Sequence, residues 1–283
     1  EVLSYSLVPE DNEKLIKISN PLLLETSCLR DNIWKEHLEI VNRNIKAGQT
    51  SCYIFEIGHI FYKNTDLIQE EILNGAVFGN RKFGKWDDSV KDKDINYYQA
   101  RGKLKEALSS LNIKIDDKPD DSINFLHPGR TSKLFIEGKE AGYFGEIHPK
   151  LIMDKKVLKK IYLFSIKLKN LLGASTRKNK WIPTYKQYPT VPKMERDINF
   201  IFSKKYLISH ITSEIRKTGK NLLEDVNLID VFEDCNIGKD FISYTFRLSY
   251  RDKDKTLLDS DISSIHSNII SKIEKTFKTE LRN

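Results

Sequence analysis

The chain is poor in the residues from which common active sites are assembled. Its three cysteines (Cys28, Cys52 and Cys235) are far apart, and there is no Cys-x-x-Cys pair. A sparse, odd count gives no disulfide framework, fits a reducing compartment and argues against a structural zinc site. No two of its 13 glycines are separated by a single residue. A dinucleotide fingerprint needs that spacing so that backbone N–H groups can approach phosphates. Gly-Lys occurs five times, but neither Ser nor Thr ever follows it, which excludes a P-loop. His-Glu-x-x-His is absent, so the common zinc hydrolase helix is missing too. No apolar run approaches the roughly 20 residues of a membrane span, and the first residues lack the pattern of a signal peptide. Methionine occurs twice and the chain opens on Glu1, so it reads as an excerpt from a longer protein.

What is present is a globular composition. The chain has 283 residues, 39% hydrophobic and 31% charged, enough for one or two domains with substantial cores. The formal net charge of +7 is compatible with a nucleic-acid partner, although the basic residues are spread along the chain.

Val2 to Val8 reads as a buried strand, followed by a loop at Asn20-Pro21. Ile33, Leu38, Val41 and Ile45 have helical spacing, and Gly48 marks the stop. Cys52 to Phe61 and Ile72 to Phe78 are rich in aromatic and β-branched residues, which predicts strands. Arg81 to Asn96 is polar and predicts a loop. Tyr97, Arg101, Leu104, Leu108 and Leu111 share one helical face. Leu134 to Ile136 and Tyr143 to Ile147 flank a turn over 137–142, a hairpin signature, and Ile161 to Leu168 is a further strand. Such an alternation predicts an antiparallel or mixed sheet covered by helices.

Gly173 to Gln187 is polar and basic with Pro183 inside it, which predicts a linker. The expected division is 1–175, a linker over 176–187, and 188–282. After the linker, Arg196 to Ser203 is a strand, and Ile208, Ile211 and Ile215 form a helix stripe ending at Gly219. Val226 to Phe232 is a second strand. Ile242, Tyr244, Phe246, Leu248 and Tyr250 alternate strictly with Ser243, Thr245, Arg247 and Ser249, the pattern of a half-buried strand. Asp259 or Ser260 is placed to cap a last helix with the stripe Ile262, Ile265, Ile269, Ile273. The order is that of a ferredoxin-like βαββαβ unit, which leaves one sheet face free of helices.

Other polar residues admit plainer roles. His127 and His148 each precede a proline. They can be a metal pair or acid/base groups, or they can fix the turns before Pro128 and Pro149. Cys28 and Cys52 read as small core residues. Asp87-Asp88 and Asp116-Asp117 read as solvated loop charges. Arg196-Asp197 fits strand-end salt bridging as well as RNA contact.

Several separated segments together resemble one family, the beta subunit of bacterial-type phenylalanyl-tRNA synthetase. They are Glu1-Val2-Leu3-Ser4-Tyr5-Ser6; Asn20-Pro21-Leu22 with Leu29-Arg30; Phe55-Glu56-Ile57-Gly58; His127-Pro128-Gly129-Arg130; and Phe144-Gly145-Glu146-Ile147-His148-Pro149. Arg196-Asp197, Asp230-Val231-Phe232, Thr256-Leu257 and Leu281-Arg282 are similar to its anticodon-binding domain. The resemblance implies an α+β protein. A class II synthetase-like antiparallel sheet with helices, catalytically silent, is followed by a ferredoxin-fold domain. The class II Phe-Arg-x-Glu and glycine-rich motifs are absent, and Arg30 is followed by Asp31.

The resemblance further implies a non-catalytic region of phenylalanine–tRNA ligase that binds the tRNA(Phe) anticodon and packs on the catalytic alpha subunit. The holoenzyme would use ATP and Mg²⁺ on the alpha chain, as an alpha2beta2 heterotetramer in the cytoplasm or an organellar stroma. By position, Asp230 matches the acid bonding the first anticodon base, and Phe232 matches the aromatic that stacks on it, with Phe where Tyr is common. Ser243 matches a further contact on the alternating strand. Arg282 matches a terminal arginine near the anticodon loop, and Asn199 sits where relatives have a small residue. Glu233-Asp234 departs from the family by replacing a region that often carries glycine. The rival readings are a stand-alone RNA-binding or regulatory protein built from the same domains, and a small-molecule enzyme.

Overall fold

In a computed structural model of the chain, the described residues are 1–11, 13–79, 94–153, 159–177, 182, 185, 187–234 and 237–281. The chain divides into two compact units, Glu1–Thr184 and Tyr185–Asn283. The α+β class expected from the sequence is the one observed, with antiparallel sheets in both units. Among the described residues no helix is long and apolar enough to cross a membrane.

In the first unit, β1 (Leu7–Val8), β2 (Ile16–Lys17) and β3 (Cys28–Leu29) form a small sheet with β3 central. Helix α1 (Trp34–Lys46) precedes the long hairpin of β4 (Ser51–Lys63) and β5 (Leu67–Gly79). Then come α2 (Tyr97–Ala107), β6 (Ile115–Pro119), β7 (Leu126–Ile136), β8 (Lys139–Ile147), α3 (Pro149–Met153), β9 (Ile161–Lys167) and α4 (Leu168–Ser175). The main sheet has the order β4-β5-β9-β8-β7-β6, every pair antiparallel.

Alternation along these strands serves two cores. Leu38 and Val41 of α1 pack with Ala76, Phe78, Ile161 and Leu163 on one face. Ala100 and Leu104 of α2 and Leu171 of α4 pack with Val77, Tyr162 and Phe164 on the other. Burying each large apolar side chain contributes about 1.5–3 kcal/mol. Helix α2 starts where the side chains of Asn96 and Gln99 each accept the other's backbone N–H, at 2.9 and 3.0 Å.

Three details differ from the sequence reading. Only Leu7–Val8 of the expected strand 2–8 pairs as a strand. The preceding residues run beside β4, with the Val2 N–H donating to Phe55 O at 2.9 Å, and Leu3 and Tyr5 stay exposed. The hairpin turn is tighter than 137–142. Ile136 pairs with Lys139, leaving only Glu137 and Gly138 in the loop, both at positive φ, as a two-residue turn matching strand twist requires. Gly142 instead belongs to β8, where a Cβ would lie 1.8 Å from Ser165 O. Strand β6 lacked an apolar pattern, and the loop expected over 81–96 falls largely outside the described residues.

A buried ionic cluster joins the N-terminal segment, α1 and β4. Arg30 and Glu56 are 3% and 2% exposed and pair at 3.0 Å. Arg30 also donates to His59 O at 2.8 Å and to Ser4 Oγ at 2.7 Å, and Ser4 Oγ donates to Glu56 at 2.6 Å. His37 Nε2 lies 3.4 Å from Glu56, and its Nδ1 meets Asn74 at 3.0 Å. Burial pushes the His37 imidazole below its ordinary value, against the pull of Glu56.

In the second unit, β10 (Met194–Ser203), α5 (Ile208–Gly219), β11 (Leu223–Phe232), β12 (Phe241–Tyr250) and α6 (Asp259–Phe277) follow in order. The sheet order is β10-β12-β11, all antiparallel, and Leu281 adds a bridge to Phe200 on the outer side of β10. This is the ferredoxin-like arrangement, with the final strand reduced to one bridge among the described residues. Neither Asp259 nor Ser260 caps α6. Leu258 holds the N-cap position, and its N–H donates to the Asp261 carboxylate at 3.0 Å.

Removing one partner of a buried ion pair strands the other charge. Glu56→Ala is therefore expected to destabilise the first unit by about 3–5 kcal/mol, and Arg30→Met/Glu56→Leu to recover most of that loss. All three tryptophans (Trp34, Trp86, Trp181) lie within residues 1–184, so urea unfolding followed by tryptophan fluorescence reads this unit selectively.

Candidate nucleic-acid interface

Strand β12 organises the second unit because its two faces differ completely. Ile242, Tyr244, Phe246, Leu248 and Tyr250 enter the core with Ile211 and Ile215 of α5 and Ile262, Ile269 and Ile273 of α6. Ser243, Thr245, Arg247 and Ser249 therefore point to the opposite face, which bears no helix among the described residues. On β10, Ile198, Phe200 and Phe202 join the core, which leaves Glu195, Asp197 and Asn199 on the helix-free face.

Strand β11 reaches that face differently. Val226 and Leu228 lie on the helix side, opposite Leu248 and Phe246. Simple alternation would carry Asp230 and Phe232 to the helix side as well. A bulge between Leu228 and Asp230 inserts Ile229 and resets the parity, so Asp230 pairs with Thr245 and Phe232 with Ser243. Directly opposed residues of an antiparallel pair share a face. Two adjacent rows result: Asn199, Thr245 and Asp230, then Ile201, Ser243 and Phe232.

The structure thus brings together four of the five residues singled out from the sequence: Asn199, Asp230, Phe232 and Ser243. Arg282 lies outside the described residues. Phe232 is 43% exposed. The Asp230 carboxylate accepts no side-chain hydrogen bond from the described residues and faces solvent. Ser243 is only 1% exposed. Its hydroxyl donates to Asn199 Oδ1 at 2.8 Å, and Asn199 Nδ2 donates to Thr245 Oγ1 at 2.8 Å. Ser243 is therefore covered on this face and meets it only through its bond to Asn199. Thr245 was not singled out from the sequence, although the alternation that selected Ser243 also places Thr245 on the same side.

Ion pairs border the face. Arg247 grips Asp197 through two bonds of 2.9 and 2.8 Å and holds its carboxyl below the usual carboxylate range. Arg196 turns the other way and pairs with Asp259 of α6 at 2.7 Å. Lys204 pairs with Glu233 at 2.8 Å, which offsets part of the negative charge beyond Phe232.

The remaining candidates have structural roles. His127 Nδ1 accepts from Gly129 N at 3.0 Å, and His148 Nδ1 from Lys150 N at 3.2 Å, so each histidine fixes the turn at its own proline. Cys28 is buried and Cys52 packs against the first-unit core. Asp117 pairs with Arg101 and Asp116 with Lys114, whereas Asp87-Asp88 lie outside the described residues. No group of three or more His, Cys, Asp or Glu among the described residues is placed to hold a metal ion.

Comparison with known proteins places two matches along the chain. Residues 1–168 match the family described as the phenylalanyl tRNA synthetase beta chain CLM domain, and residues 189–282 match the ferredoxin-fold anticodon binding domain. The chain is 80% identical over 283 residues to the phenylalanine–tRNA ligase beta subunit of Prochlorococcus marinus (strain MIT 9312), covering all of this chain and 35% of that protein. To the same subunit of Prochlorococcus marinus subsp. pastoris it is 68% identical over 282 residues, covering 100% of this chain and 34% of that protein. To that of Synechococcus sp. (strain CC9902) it is 42% identical over 284 residues, covering 100% and 35%. The chain thus spans about a third of the length of the curated relatives it matches.

The hydrogen-bonded relay has a measurable consequence. Asn199→Ala removes the acceptor of a buried hydroxyl, and is expected to cost about 1–2 kcal/mol. Adding Ser243→Ala should cost less than the sum of the two single changes. Urea midpoints from far-UV circular dichroism, taken on the transition that tryptophan does not sense, measure both.

Proposed function

The chain belongs to the phenylalanyl-tRNA synthetase beta chain CLM domain family, and from that premise we propose that it is a non-catalytic region of a phenylalanine–tRNA ligase beta subunit. In this reading the second unit binds the anticodon of tRNA(Phe), and the first unit packs on the catalytic alpha subunit. The holoenzyme, an alpha2beta2 heterotetramer in the cytoplasm, consumes ATP with Mg²⁺ on the alpha chain.

One observation carries the anticodon reading. Asp230, Phe232 and Asn199 come from different positions in the chain, and they meet on one helix-free sheet face because a bulge turns two of them toward it. An exposed aromatic beside a solvent-facing carboxylate is how unpaired bases are read: the ring stacks on the base and polar groups bond its edge. The carboxylate accepts only, so it suits the N–H donors on the Watson–Crick edge of guanine. Each stack contributes roughly 1–3 kcal/mol. Pairing in the relatives speaks for a ligase subunit over a stand-alone RNA-binding or regulatory protein, since each is itself a beta subunit.

Packing on a partner chain is supported by the outer strand of the main sheet. Tyr53, Phe55 and Ile57 of β4 are 49%, 42% and 43% exposed in a row. Tyr53 and Phe55 line a groove of about 340 Å³ together with Leu104, Leu108 and Phe164. Contiguous exposed apolar surface of this kind marks an interaction site.

Two outcomes test the proposal. With Asp230→Ala in the intact heteromer, tRNA binding should weaken by about 1–3 kcal/mol, and the loss should shrink when the first anticodon base is changed. Equal losses for every anticodon would argue against base reading. Phe55→Glu in the full-length subunit should release the alpha chain during co-purification while leaving the circular dichroism spectrum intact. Undiminished co-purification would remove β4 from the interface.

A further inference from the structure

Thr245 lies directly between Asn199 and Asp230 in one row of the sheet. The relay beside it has a fixed direction. Ser243 gives its proton to Asn199 Oδ1, and Asn199 gives an N–H to Thr245 Oγ1, each at 2.8 Å. Ser243 is buried, so its hydroxyl has a single productive orientation, and that orients the Asn199 carboxamide. A hydroxyl carries one proton and two lone pairs. Asn199 occupies one lone pair of Thr245, and the Thr245 proton meets no acceptor among the described residues. Neighbouring strands are about 4.8 Å apart. The row thus sets a hydroxyl donor beside the acceptor-only carboxylate of Asp230.

We infer that Thr245 is a second base-reading residue, donating to the O6 carbonyl of the guanine whose N–H groups Asp230 accepts. Asn199 and Ser243 are positioning residues that aim it. This rests on the anticodon reading above. Guanine presents O6, N1–H and N2–H side by side, so a donor next to an acceptor matches that edge. Adenine presents an amino group and an unprotonated N1 at the corresponding places, so both protein groups meet the wrong partner.

The test uses the intact heteromer and tRNA transcripts whose first anticodon base is guanine, inosine or 2-aminopurine. Inosine keeps O6 and N1–H; 2-aminopurine lacks both but keeps the amino group. Thr245→Val removes the hydroxyl at nearly constant shape and should raise the Kd roughly three- to tenfold for guanine and inosine. It should change little for 2-aminopurine, and Thr245→Ser should restore binding. An equal loss on all three bases, or no loss on guanine, overturns the inference. If Thr245→Val fails to fold, Thr245→Ala measured against Thr245→Ser makes the same comparison. Asp230→Ala run in parallel separates the two claims. Base-dependent loss at Asp230 with base-independent loss at Thr245 defeats only the inference about Thr245. Base-independent loss at both defeats the anticodon reading itself.

Discussion

The helix-free face of the second unit depends on strand parity. A strand presents its side chains alternately to two sides, so a residue's face is set by counting from its neighbours. On β12 the count runs unbroken, and it separates a wall of aromatic and aliphatic side chains from a row of small polar ones. On β11 the same count would hide Asp230 and Phe232 against the helices. One inserted residue, Ile229, reverses it. The core keeps Val226 and Leu228, the opposite face gains a carboxylate and a ring, and only one position of the ladder is disrupted.

This parity explains what was legible in the sequence. Strand β12 could be read because serine, threonine and arginine alternate with large apolar residues without a break. The interest of Asp230 and Phe232 came through family resemblance, because Val226 to Phe232 contains nothing that announces a bulge. The burial of Ser243 was also hidden. It arises from neighbours 44 residues away in sequence, where Asn199 takes its proton, and a one-dimensional pattern does not record cross-strand cover. In the first unit, the helix stripes and long strands were plain from their periodicity. The segment before β1 misled because its apolar residues alternate outward, with Leu3 and Tyr5 in solvent.

The two units spend their polar residues differently. In the first, Arg30, Glu56, His37 and Asn74 are sealed between α1 and the sheet and contact one another. Such a cluster tethers the N-terminal segment to β4 and offers little to a ligand. Helices pack against both faces of the main sheet, which suits a scaffold. In the second unit, polar residues lie in rows on an open face and their side chains are aligned by hydrogen bonds along the surface. Ser243, Asn199 and Thr245 are thereby held in fixed orientation, which under the proposed function would lower the ordering cost of binding.

The position of β11 at the margin of its sheet has one more effect. Ile229, Val231 and Phe232 are all exposed there, on a strand whose outer backbone groups have no sheet neighbour among the described residues. Such a margin invites a second copy of the chain to add on, strand to strand. Two irregularities in its register bend the margin, and the exposed Asp230 carboxylate sits at the second of them, both features that blunt an edge strand. The bulge that turns Asp230 and Phe232 to the open face therefore also makes β11 a poor template for a further strand.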